Sequence, residues 1–379
     1  MRAMDTSDTT PSHSAEPGTP IGVGIVGLGA AAGSWARTAH LPALRAVDGY
    51  ELRAVSAGSH ESAMRSAEMH RVPRAFGSAA ELAAADEVDL VVVAVKVPHH
   101  RELVKAALDA GKGVLCEWPL GNGLAEAEEL ADLASSRGLP NAVGLQARSN
   151  PALAYIRDLV ADGYVGRVLS TTVVGTGQAW GAYTDPRNRY LLDPANGATL
   201  LTIPFGHTFD GVASVLGEPE ELRVEQAQRR TSTVDRETGE RVPMSSPDQV
   251  VASGCLPGGA VATFHYRGGS SRGTNFRWEI NGTEGDIVVT APTGHLQLAP
   301  ISLWGARGDE TEPAPLTVPG PYVGVPSLDP VSDSAAYSVA HAYRQFREDL
   351  RTGTSLVPDF AHGVRRHRSL EAPPAPETR

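Results

Sequence analysis

His207 is the clearest candidate for proton transfer in this sequence. It lies in the run Phe-Gly-His-Thr-Phe-Asp that ends at Asp210, and an imidazole with an ordinary pKa of about 6.5 accepts a proton at neutral pH. Asp210 follows three residues later, a spacing at which a carboxylate on the same helix can orient the imidazole. The alternative is a structural histidine that caps a turn or contacts Asp210. We predict that His207 binds substrate and acts as the catalytic base.

A glycine-rich run follows the first apolar segment of the chain. One glycine at the tight turn and a second at the closest approach let backbone N–H groups contact a pyrophosphate, while the next helix points its positive N-terminus at the same anion. The alternative is an ordinary strand-to-helix turn that binds nothing. The predicted dinucleotide contacts in this run are Gly27, Leu28, Gly29, Ala30, Ala31 and Ala32.

The end of the second predicted strand indicates which dinucleotide would bind. An acidic residue there would hydrogen-bond the ribose 2′-hydroxyl of NAD and repel the 2′-phosphate of NADP. No acid occurs between Ala54 and Glu61, and Ser56 and Ser59 could donate hydrogen bonds to a phosphate. No arginine lies on that turn, and Arg65 would have to reach back from the next helix. The sequence therefore favours NADP, with NAD as the alternative.

Lys96 interrupts an apolar strand at its C-terminal end, the edge where open parallel sheets hold their ligands. Its ammonium could neutralise a cofactor phosphate or hold a substrate oxygen, and we predict both a cofactor contact and a catalytic role. A lysine that extends its charged end into water is the alternative. On the same loop, Val97, Pro98 and His100 are predicted to contact the cofactor.

Residues after the next two strands complete the candidate site. Glu117 and Trp118 are predicted to contact the cofactor. Polar side chains just beyond the fifth strand could donate hydrogen bonds to sugar hydroxyls, and aromatic faces could stack on a pyranose ring, although an aromatic residue is more often part of a core. Residues 175–189 are predicted to form a loop over the pocket. Besides His207, the predicted substrate contacts are Gln146, Arg148, Trp180 and Tyr183.

Short apolar runs alternate with longer helical segments over residues 21–147, which predicts a doubly wound parallel sheet with right-handed crossovers. The run Leu90 to Val95 is continuously apolar, as expected of a strand buried on both faces. The five predicted strands are residues 21–26, 50–56, 90–95, 113–116 and 141–145. The predicted helices are residues 33–46, 60–68, 81–85, 100–110 and 124–137.

After residue 147 the chain becomes rich in β segments separated by glycine turns, a pattern typical of an open antiparallel sheet. Helices are predicted at residues 335–352 and from Pro358 to Leu370. The expected fold class is α/β followed by α+β. The expected divisions are a dinucleotide-binding domain at residues 21–147, a substrate-binding and oligomerisation domain at 148–372, and disordered tails at 1–20 and 373–379.

The composition excludes several classes of function. A formal net charge of −11 over 379 residues argues against a nucleic-acid partner, because that affinity comes mostly from clustered Lys and Arg. Cys116 and Cys255 form neither a disulfide framework nor a metal-binding spacing, which predicts reduced thiols in a cytoplasmic protein without a metal. The longest apolar run is far shorter than the roughly 20 residues that a membrane span requires. We therefore expect no membrane partner.

The chain resembles the glucose–fructose oxidoreductase and inositol dehydrogenase family at the glycine run and the Pro98 loop. The resemblance continues through Cys-Glu-Trp-Pro at 116–119, Gly-Leu-Gln-Ala-Arg at 144–148 and Ile-Asn-Gly-Thr-Glu-Gly-Asp at 280–286. Several of these motifs look most like the branch that contains the fungal galactose-pathway corepressor. The resemblance implies an N-terminal Rossmann domain and a C-terminal α+β domain. The antiparallel sheet of the second domain would carry substrate on one face and often a dimer interface on the other.

The resemblance also implies polar groups that this chain lacks. In the family, a Glu-Lys-Pro motif places a lysine beside the nicotinamide, and an Asp-x-x-x-His pair accepts the proton of a sugar hydroxyl. Here Trp118 stands at the lysine position and Ile203 at the aspartate position. The implied activity is hydride transfer between a nicotinamide and a hydroxyl or carbonyl of a sugar-like polyol, in a homo-oligomer. The alternatives are a regulator that binds dinucleotide or sugar without turnover, and a redox-neutral sugar-modifying enzyme.

Overall fold

The computed structural model describes residues 19–29 and 33–371. All strands of its N-terminal sheet run parallel, and the sequence order reverses between the first and fourth strands, where a crevice opens. This confirms the predicted doubly wound sheet. The six strands are β1 (Ile21–Val26), β2 (Tyr50–Ser56), β3 (Arg74–Phe76), β4 (Leu90–Val93), β5 (Gly113–Glu117) and β6 (Asn141–Gly144).

Helices connect these strands close to the predicted positions. The predicted first helix, residues 33–46, is shorter and begins as a π-helical turn at Ala36–His40. β4 ends two residues before the prediction, because Lys96 precedes a short helical turn at Val97–His99. The helices are α1 (Leu41–Ala46), α2 (His60–His70), α3 (Ala79–Ala83), α4 (His100–Asp109), α5 (Leu124–Ser136) and α6 (Pro151–Ala161).

The second half of the chain forms a large, mostly antiparallel sheet and a small sheet of β8, β10 and β11. Their strands are β7 (Val168–Gly177), β8 (Tyr183–Thr184), β9 (Leu222–Ala227), β10 (Ser232–Asp235), β11 (Arg241–Pro243), β12 (Gln249–Cys255), β13 (Val261–Gly268), β14 (Phe276–Gly282), β15 (Gly285–Ala291), β16 (Ser302–Arg307) and β17 (Ala314–Leu316). The large sheet has the order β17-β16-β15-β14-β7-β13-β12-β9, and only its β7–β13 pair runs parallel among the described strands. The predicted open antiparallel sheet is confirmed.

Helix α7 (Gly206–Leu216) packs on the inner face of the large sheet. The rings of Phe205 and Phe209 stack 5.9 Å apart, and both contact Phe264 of β13 edge to face. Tyr266 of the same strand also packs edge to face against Phe205. Because side chains alternate between the two faces of a strand, Phe264 and Tyr266 lie on one side of the sheet. This aromatic cluster fixes the position of the helix that carries His207.

The last two helices, α8 (Ser334–Thr352) and α9 (Phe360–Leu370), pack against the parallel sheet, and the division at residue 147 stays a prediction. Tyr343 on α8 lies 2.8 Å from the Nδ1 atom of His40, and its backbone oxygen accepts a bond from the Tyr50 hydroxyl. At the start of α9, the Phe360 amide donates to Asn141 of β6. The two helices therefore complete the core of the N-terminal layer, although they follow the second sheet in sequence.

Several further expectations concern the whole chain. Residues 1–18 and 372–379, which include most of both predicted tails, lie outside the described residues. Within the described part, no helix is both long and apolar enough to span a membrane. The same part contains no cluster of His, Cys, Asp and Glu that could hold a metal ion. Cys116 is buried, Cys255 is exposed, and both are free thiols.

Candidate functional site

The glycine turn lies at the end of β1, beside the crevice between β1 and β4. Gly27 has a φ of +100°, and its amide donates to the Ser56 carbonyl at 3.0 Å. A Cβ atom at this position would lie 2.5 Å from the Ala94 carbonyl oxygen, so only glycine fits. Leu28 is fully buried, and the Gly29 amide bonds the Gly27 carbonyl. The predicted contacts Ala30, Ala31 and Ala32 lie outside the described residues.

The two serines predicted to hold a 2′-phosphate have different environments. Ser56 is buried at the end of β2. Ser59 is exposed, but its hydroxyl accepts a bond from the Ser62 amide and thereby caps α2. Arg65 forms an ion pair with Glu61 on the surface of α2. The preference for NADP stays a prediction.

A segment of the second half of the chain, residues 185–197, crosses the open edge of the parallel sheet. Arg187 of this segment lies against the glycine turn, with Nη1 at 2.6 Å from the point where a Cβ of Gly33 would lie. The Lys96 ammonium lies 4.7 Å from the ring centre of Tyr190. Asn122 donates to the Ala195 carbonyl at 2.9 Å. Lys96 and the glycine turn therefore face one cleft that is bounded by residues 185–197.

The loop after Lys96 is held mostly by internal contacts. Val97 and His100 are buried, and Pro98 is exposed. The His100 ring lies 3.1 Å from the Val95 carbonyl and 2.8 Å from the Pro119 carbonyl, and burial lowers the pKa of its imidazole. The His100 ring therefore joins two loops, and its predicted contact with the cofactor stays a prediction.

Glu117 anchors a buried polar network at the end of β5. Its carboxylate accepts from Nε2 of His40 at 3.0 Å and from the Gln146 amide at 3.2 Å. Because a carboxylate can only accept, the His40 ring carries its proton on Nε2 and accepts the Tyr343 hydroxyl on Nδ1. The side-chain oxygen of Gln146 is buried without a hydrogen-bond partner within the described structure. Gln146 thus offers an acceptor close to Glu117.

His207 lies in α7 with its ring nearly fully buried. Its Nδ1 atom has no hydrogen-bond partner among residues 19–29 and 33–371. Burial lowers the pKa of the imidazole to about 4, although the negative charges of Glu117 and Asp210 act in the opposite direction. The imidazole is therefore neutral at neutral pH and retains a nitrogen that can exchange a hydrogen bond with a ligand.

Asp210 does not orient His207, and that prediction is wrong. Its fully buried carboxylate binds Arg148 at 2.8 and 3.0 Å, Arg366 at 3.0 and 3.2 Å, and His362 at 2.6 Å. Burial alone would raise the pKa of Asp210, but these partners lower it well below its usual range. The guanidinium of Arg148 holds Asp210, and a substrate contact at Arg148 stays a prediction.

The predicted aromatic platforms also lie in different places. Trp180 is 1 % exposed and donates from its indole nitrogen to the Leu191 carbonyl, so its ring is part of the core, and a substrate contact there stays a prediction. Tyr183 is half exposed on β8, where the Arg236 guanidinium covers its ring. A substrate contact at Tyr183 stays a prediction.

Two polar side chains near His207 were missed by sequence reasoning. His295 and Gln297 follow β15 in the turn that begins at Thr293, and Gln297 is 4 % exposed. The two side chains approach each other, with 3.5 Å between the Gln297 amide nitrogen and Nδ1 of His295. Burial lowers the pKa of His295 to about 4, and a proton on the nearby His207 would lower it further. The only local signal was a histidine after an apolar strand, and no motif spacing pointed to it.

Comparison with known proteins identifies the family of this chain. Residues 21–145 match a family model described as an oxidoreductase family with an NAD-binding Rossmann fold, and residues 151–291 match a model of the Gal80p C-terminal domain. The dehydrogenase aclE of Aspergillus oryzae is 33 % identical over 294 residues, which cover 75 % of this chain and 80 % of that protein. The chain belongs to this oxidoreductase family.

Relatives of this oxidoreductase family member include regulators as well as dehydrogenases. The galactose/lactose metabolism regulatory protein GAL80 of Saccharomyces cerevisiae is 27 % identical over 321 residues, covering 77 % of this chain and 72 % of that protein. A super-repressor mutant of Gal80p from the same yeast has the same fold, with a TM-score of 0.82, 23 % identity and coverage of 93 % and 94 %. Levoglucosan dehydrogenase, solved with NADH and L-sorbose, gives a TM-score of 0.76, 21 % identity and coverage of 92 % and 94 %.

The position of the family's lysine is apolar and closed in this member. Trp118 is 4 % exposed, and its indole donates to the Thr202 carbonyl at 2.6 Å while its ring packs 4.6 Å from that of His367. Both contacts turn the indole into the protein, and a cofactor contact at Trp118 stays a prediction. Ile203 also packs against the core.

The residues around the glycine turn fit a dinucleotide. Gly27 and Gly33 both adopt positive φ values, which leave backbone without side chains at the end of β1. The cationic side chains of Lys96 and Arg187 lie along the same edge, where they can balance a pyrophosphate charge. The chain thus combines an NAD-binding Rossmann fold with a neighbouring buried imidazole at His207.

Proposed function

We propose that this protein is an NAD(P)-dependent oxidoreductase that acts on a hydroxyl or carbonyl group of a sugar or sugar-like polyol. The observation that carries the proposal is the buried imidazole of His207, whose Nδ1 atom faces no protein partner in the described part of the chain. Glu117, at the cofactor edge of β5, lies close enough to influence the pKa of that imidazole. A proton acceptor and a dinucleotide fold therefore meet at one edge of the molecule.

The bound nicotinamide supplies hydride chemistry, and the protein supplies the proton transfer. A hydride leaves a carbinol carbon only as the hydroxyl proton departs, so a base must lie within hydrogen-bond reach. His207 accepts that proton at Nδ1. Because burial lowers its pKa to about 4, the ring is in the base form throughout the neutral range, although so low a pKa also makes it a weak proton acceptor. The rate of alcohol oxidation should accordingly rise through about pH 4 and stay level above it.

Lys96 holds the charged part of the ligands in this proposal. Its ammonium lies over Tyr190 at the edge of the cleft, where a cofactor phosphate or a substrate oxygen can replace water around it. The buried Trp118 stands at the position of the family lysine, and we assign the role of that cation to Lys96. The missing acid at the end of β2 supports NADP over NAD.

A second candidate function is a regulator that binds the dinucleotide without turnover. The match of residues 151–291 to the Gal80p C-terminal domain supports it, together with the apolar side chains at Trp118 and Ile203. This candidate predicts tight dinucleotide binding and no redox reaction with any polyol.

The deciding experiment measures binding and turnover in the same preparation. NADH and NADPH are titrated against the quenching of tryptophan fluorescence, and NAD⁺ or NADP⁺ is then mixed with aldoses, polyols and their ketones while nicotinamide absorbance is followed. The enzyme is supported if the unchanged protein turns over a substrate and if His207→Gln abolishes that turnover while dinucleotide binding is retained. Binding without turnover over the whole panel supports the regulator, and absence of binding refutes both.

We further propose that the ligand is a small neutral molecule.

We also propose that the protein forms a homo-oligomer through the outer face of the large sheet. Val251, Val261 and Trp304 are exposed on that face, which the helices leave uncovered. Val261→Glu places a charge in this patch and should shift the mass measured by light scattering to that of a monomer. An unchanged mass would argue against this interface.

A further inference from the structure

The turn after β15 is held against α7 beside His207. Thr208 lies 2.6 Å from the Tyr266 hydroxyl, and that hydroxyl donates to the Gly294 carbonyl at 2.9 Å. The residue after His207 and the residue before His295 are therefore joined through a single tyrosine. This chain of hydrogen bonds is buried, so it sets the position of the turn rigidly.

A second contact fixes which side of α7 the turn meets. A Cβ atom at Gly211 would lie 3.1 Å from a methyl group of Leu296, so the absence of a side chain lets the turn approach the helix. Gly211 is four residues after His207, and residues at that spacing lie on the same helix face. Leu296 is fully buried beneath this face. The two imidazoles of His207 and His295 are thereby brought to one side of α7.

The groups around these imidazoles have unused hydrogen-bonding capacity. Buried polar atoms are almost always paired, so unpaired ones that cluster indicate a ligand or ordered water. In the described part of the molecule, three buried atoms of this region have no partner, namely Nδ1 of His207, Oε1 of Gln297 and Oγ1 of Thr293. His207 and Gln297 are each 4 % exposed, and His295 keeps a partly exposed surface through which the region can be reached.

We propose that His207 and His295 together form a pocket for two neighbouring hydroxyl groups of a neutral polyhydroxylated ring, with His295 as the positioning residue. Within the described residues the buried Nδ1 atom of His207 is an unpaired acceptor, and His295, whose Nδ1 lies 3.5 Å from the Gln297 amide nitrogen, presents the N–H of its other ring nitrogen, so the pair matches hydroxyls that both donate and accept. Gln297 bonds the His295 ring and adds an acceptor at the same place. The inference rests on the proposed function, because it names the substrate class for that site.

The charges around the pocket select against anionic sugars. Burial is the main cause of the lowered pKa of both imidazoles; the carboxylates of Glu117 on β5 and Asp210 on α7 oppose it at His207, and a proton on His207 would lower the pKa of His295 further. Burial keeps both imidazoles neutral near pH 7, with pKa values of about 4. A ligand carboxylate would find no cation at these rings and would be repelled by Glu117. Neutral polyols should therefore bind better than the corresponding sugar acids.

The test uses the full chain, the neutral probes glucose and myo-inositol, and glucuronate as the anionic probe. Histidine NMR signals are recorded without dinucleotide, so the outcome is independent of turnover. We expect a neutral probe to shift the signals of both His207 and His295. His295→Gln should weaken its dissociation constant about tenfold, the effect of losing about one hydrogen bond. His207→Gln should raise the pKa of His295, because the neighbouring charge that lowers it is removed.

His265→Gln is the matched control, since His265 is exposed on β13, and it should change none of these values. If His295→Gln proves unstable, Gln297→Leu provides a second variant that removes the adjacent acceptor and should also weaken binding. Once turnover of a substrate has been detected, His295→Gln should raise the KM for that substrate far more than it lowers kcat. The proposal is overturned if no neutral probe shifts either signal up to its solubility limit, if His295→Gln binds as the unchanged protein does, or if glucuronate binds as tightly as glucose. Failure of dinucleotide binding would instead refute the proposed function.

Discussion

Replacement of Asp210 with asparagine tests the interaction that joins α7 to α9. The Asp210 carboxylate is fully buried and accepts five hydrogen bonds, two from Arg148, two from Arg366 and one from His362. Asparagine keeps the shape but removes the negative charge. Arg366, which is 1 % exposed, would retain only Glu218 as a counter-charge.

The expected loss is about 3–5 kcal/mol of unfolding free energy, the effect of removing one partner from a buried ion pair. Urea denaturation at pH 7, followed by far-UV circular dichroism, measures it directly. Glu128→Gln is the matched control, since Glu128 pairs with Arg368 of the same helix while their side chains are 44 % and 63 % exposed. That variant should lose less than about 1 kcal/mol, because water screens exposed pairs.

A loss below about 1 kcal/mol for Asp210→Asn, with an unchanged dependence on urea, would refute this reasoning. It would mean that the two arginines find other partners or water once the charge is gone. A loss equal to that of Glu128→Gln would lead to the same conclusion. A large loss in both variants would show that the α9 surface pair is far more important than its exposure indicates.

Three further predictions concern pH, the glycine turn and Lys96. Burial lowers the pKa values of His207 and His367 from 6.5 to about 4, so between pH 4 and 6.5 the unfolded chain binds more protons than the folded chain. The free energy of unfolding should therefore fall as the pH drops through that window, by about 3 kcal/mol for each ring. His367→Gln should flatten a plot of urea midpoint against pH. Gly27→Ala should destabilise the fold by more than about 1 kcal/mol and abolish the quenching of fluorescence by NADH. Its φ is positive, and the added Cβ atom would collide with the Ala94 carbonyl. Binding of NADH by this variant as tight as that of the wild type would contradict the role of the turn. Lys96→Met should change the melting temperature little and weaken NADPH binding about tenfold in a fluorescence titration, and equal affinity would show that the ammonium contacts no phosphate.

The N-terminal sheet was predictable because its strands are continuous apolar runs. Leu90–Val93 is buried on both faces, and a continuous apolar run of this kind is typical of a central strand of a parallel sheet. The short edge strand Arg74–Phe76 was missed, because three half-exposed residues carry no apolar pattern. The glycine turn was predictable for a comparable reason, since the conformation of Gly27 restricts the residue type at that position.

The candidate site was less predictable, because side-chain partners come from distant parts of the chain. Arg148 has the right charge for a ligand contact, yet its partner Asp210 lies 62 positions away and takes its donors. His295 lies far from His207 in sequence, and their proximity depends on the Tyr266 bridge. Local spacing singled out His207, whose role in the site stays a prediction, and it suggested the wrong partner for Asp210. The sequence patterns therefore identified side chains with suitable chemistry, whereas tertiary contacts determine which of those side chains remain free to bind a ligand.

The packing of α8 and α9 on the parallel sheet has a consequence for biosynthesis. Tyr343 fills the space beside His40, and Phe360 is anchored to Asn141, so the N-terminal half lacks part of its interior until α8 and α9 emerge from the ribosome. A fragment that ends near residue 150 would expose apolar surface that α8 normally covers. Translation must therefore pass α9 before the nucleotide-binding half can reach its final structure, and termination before α8 should yield an aggregating product and not a working half.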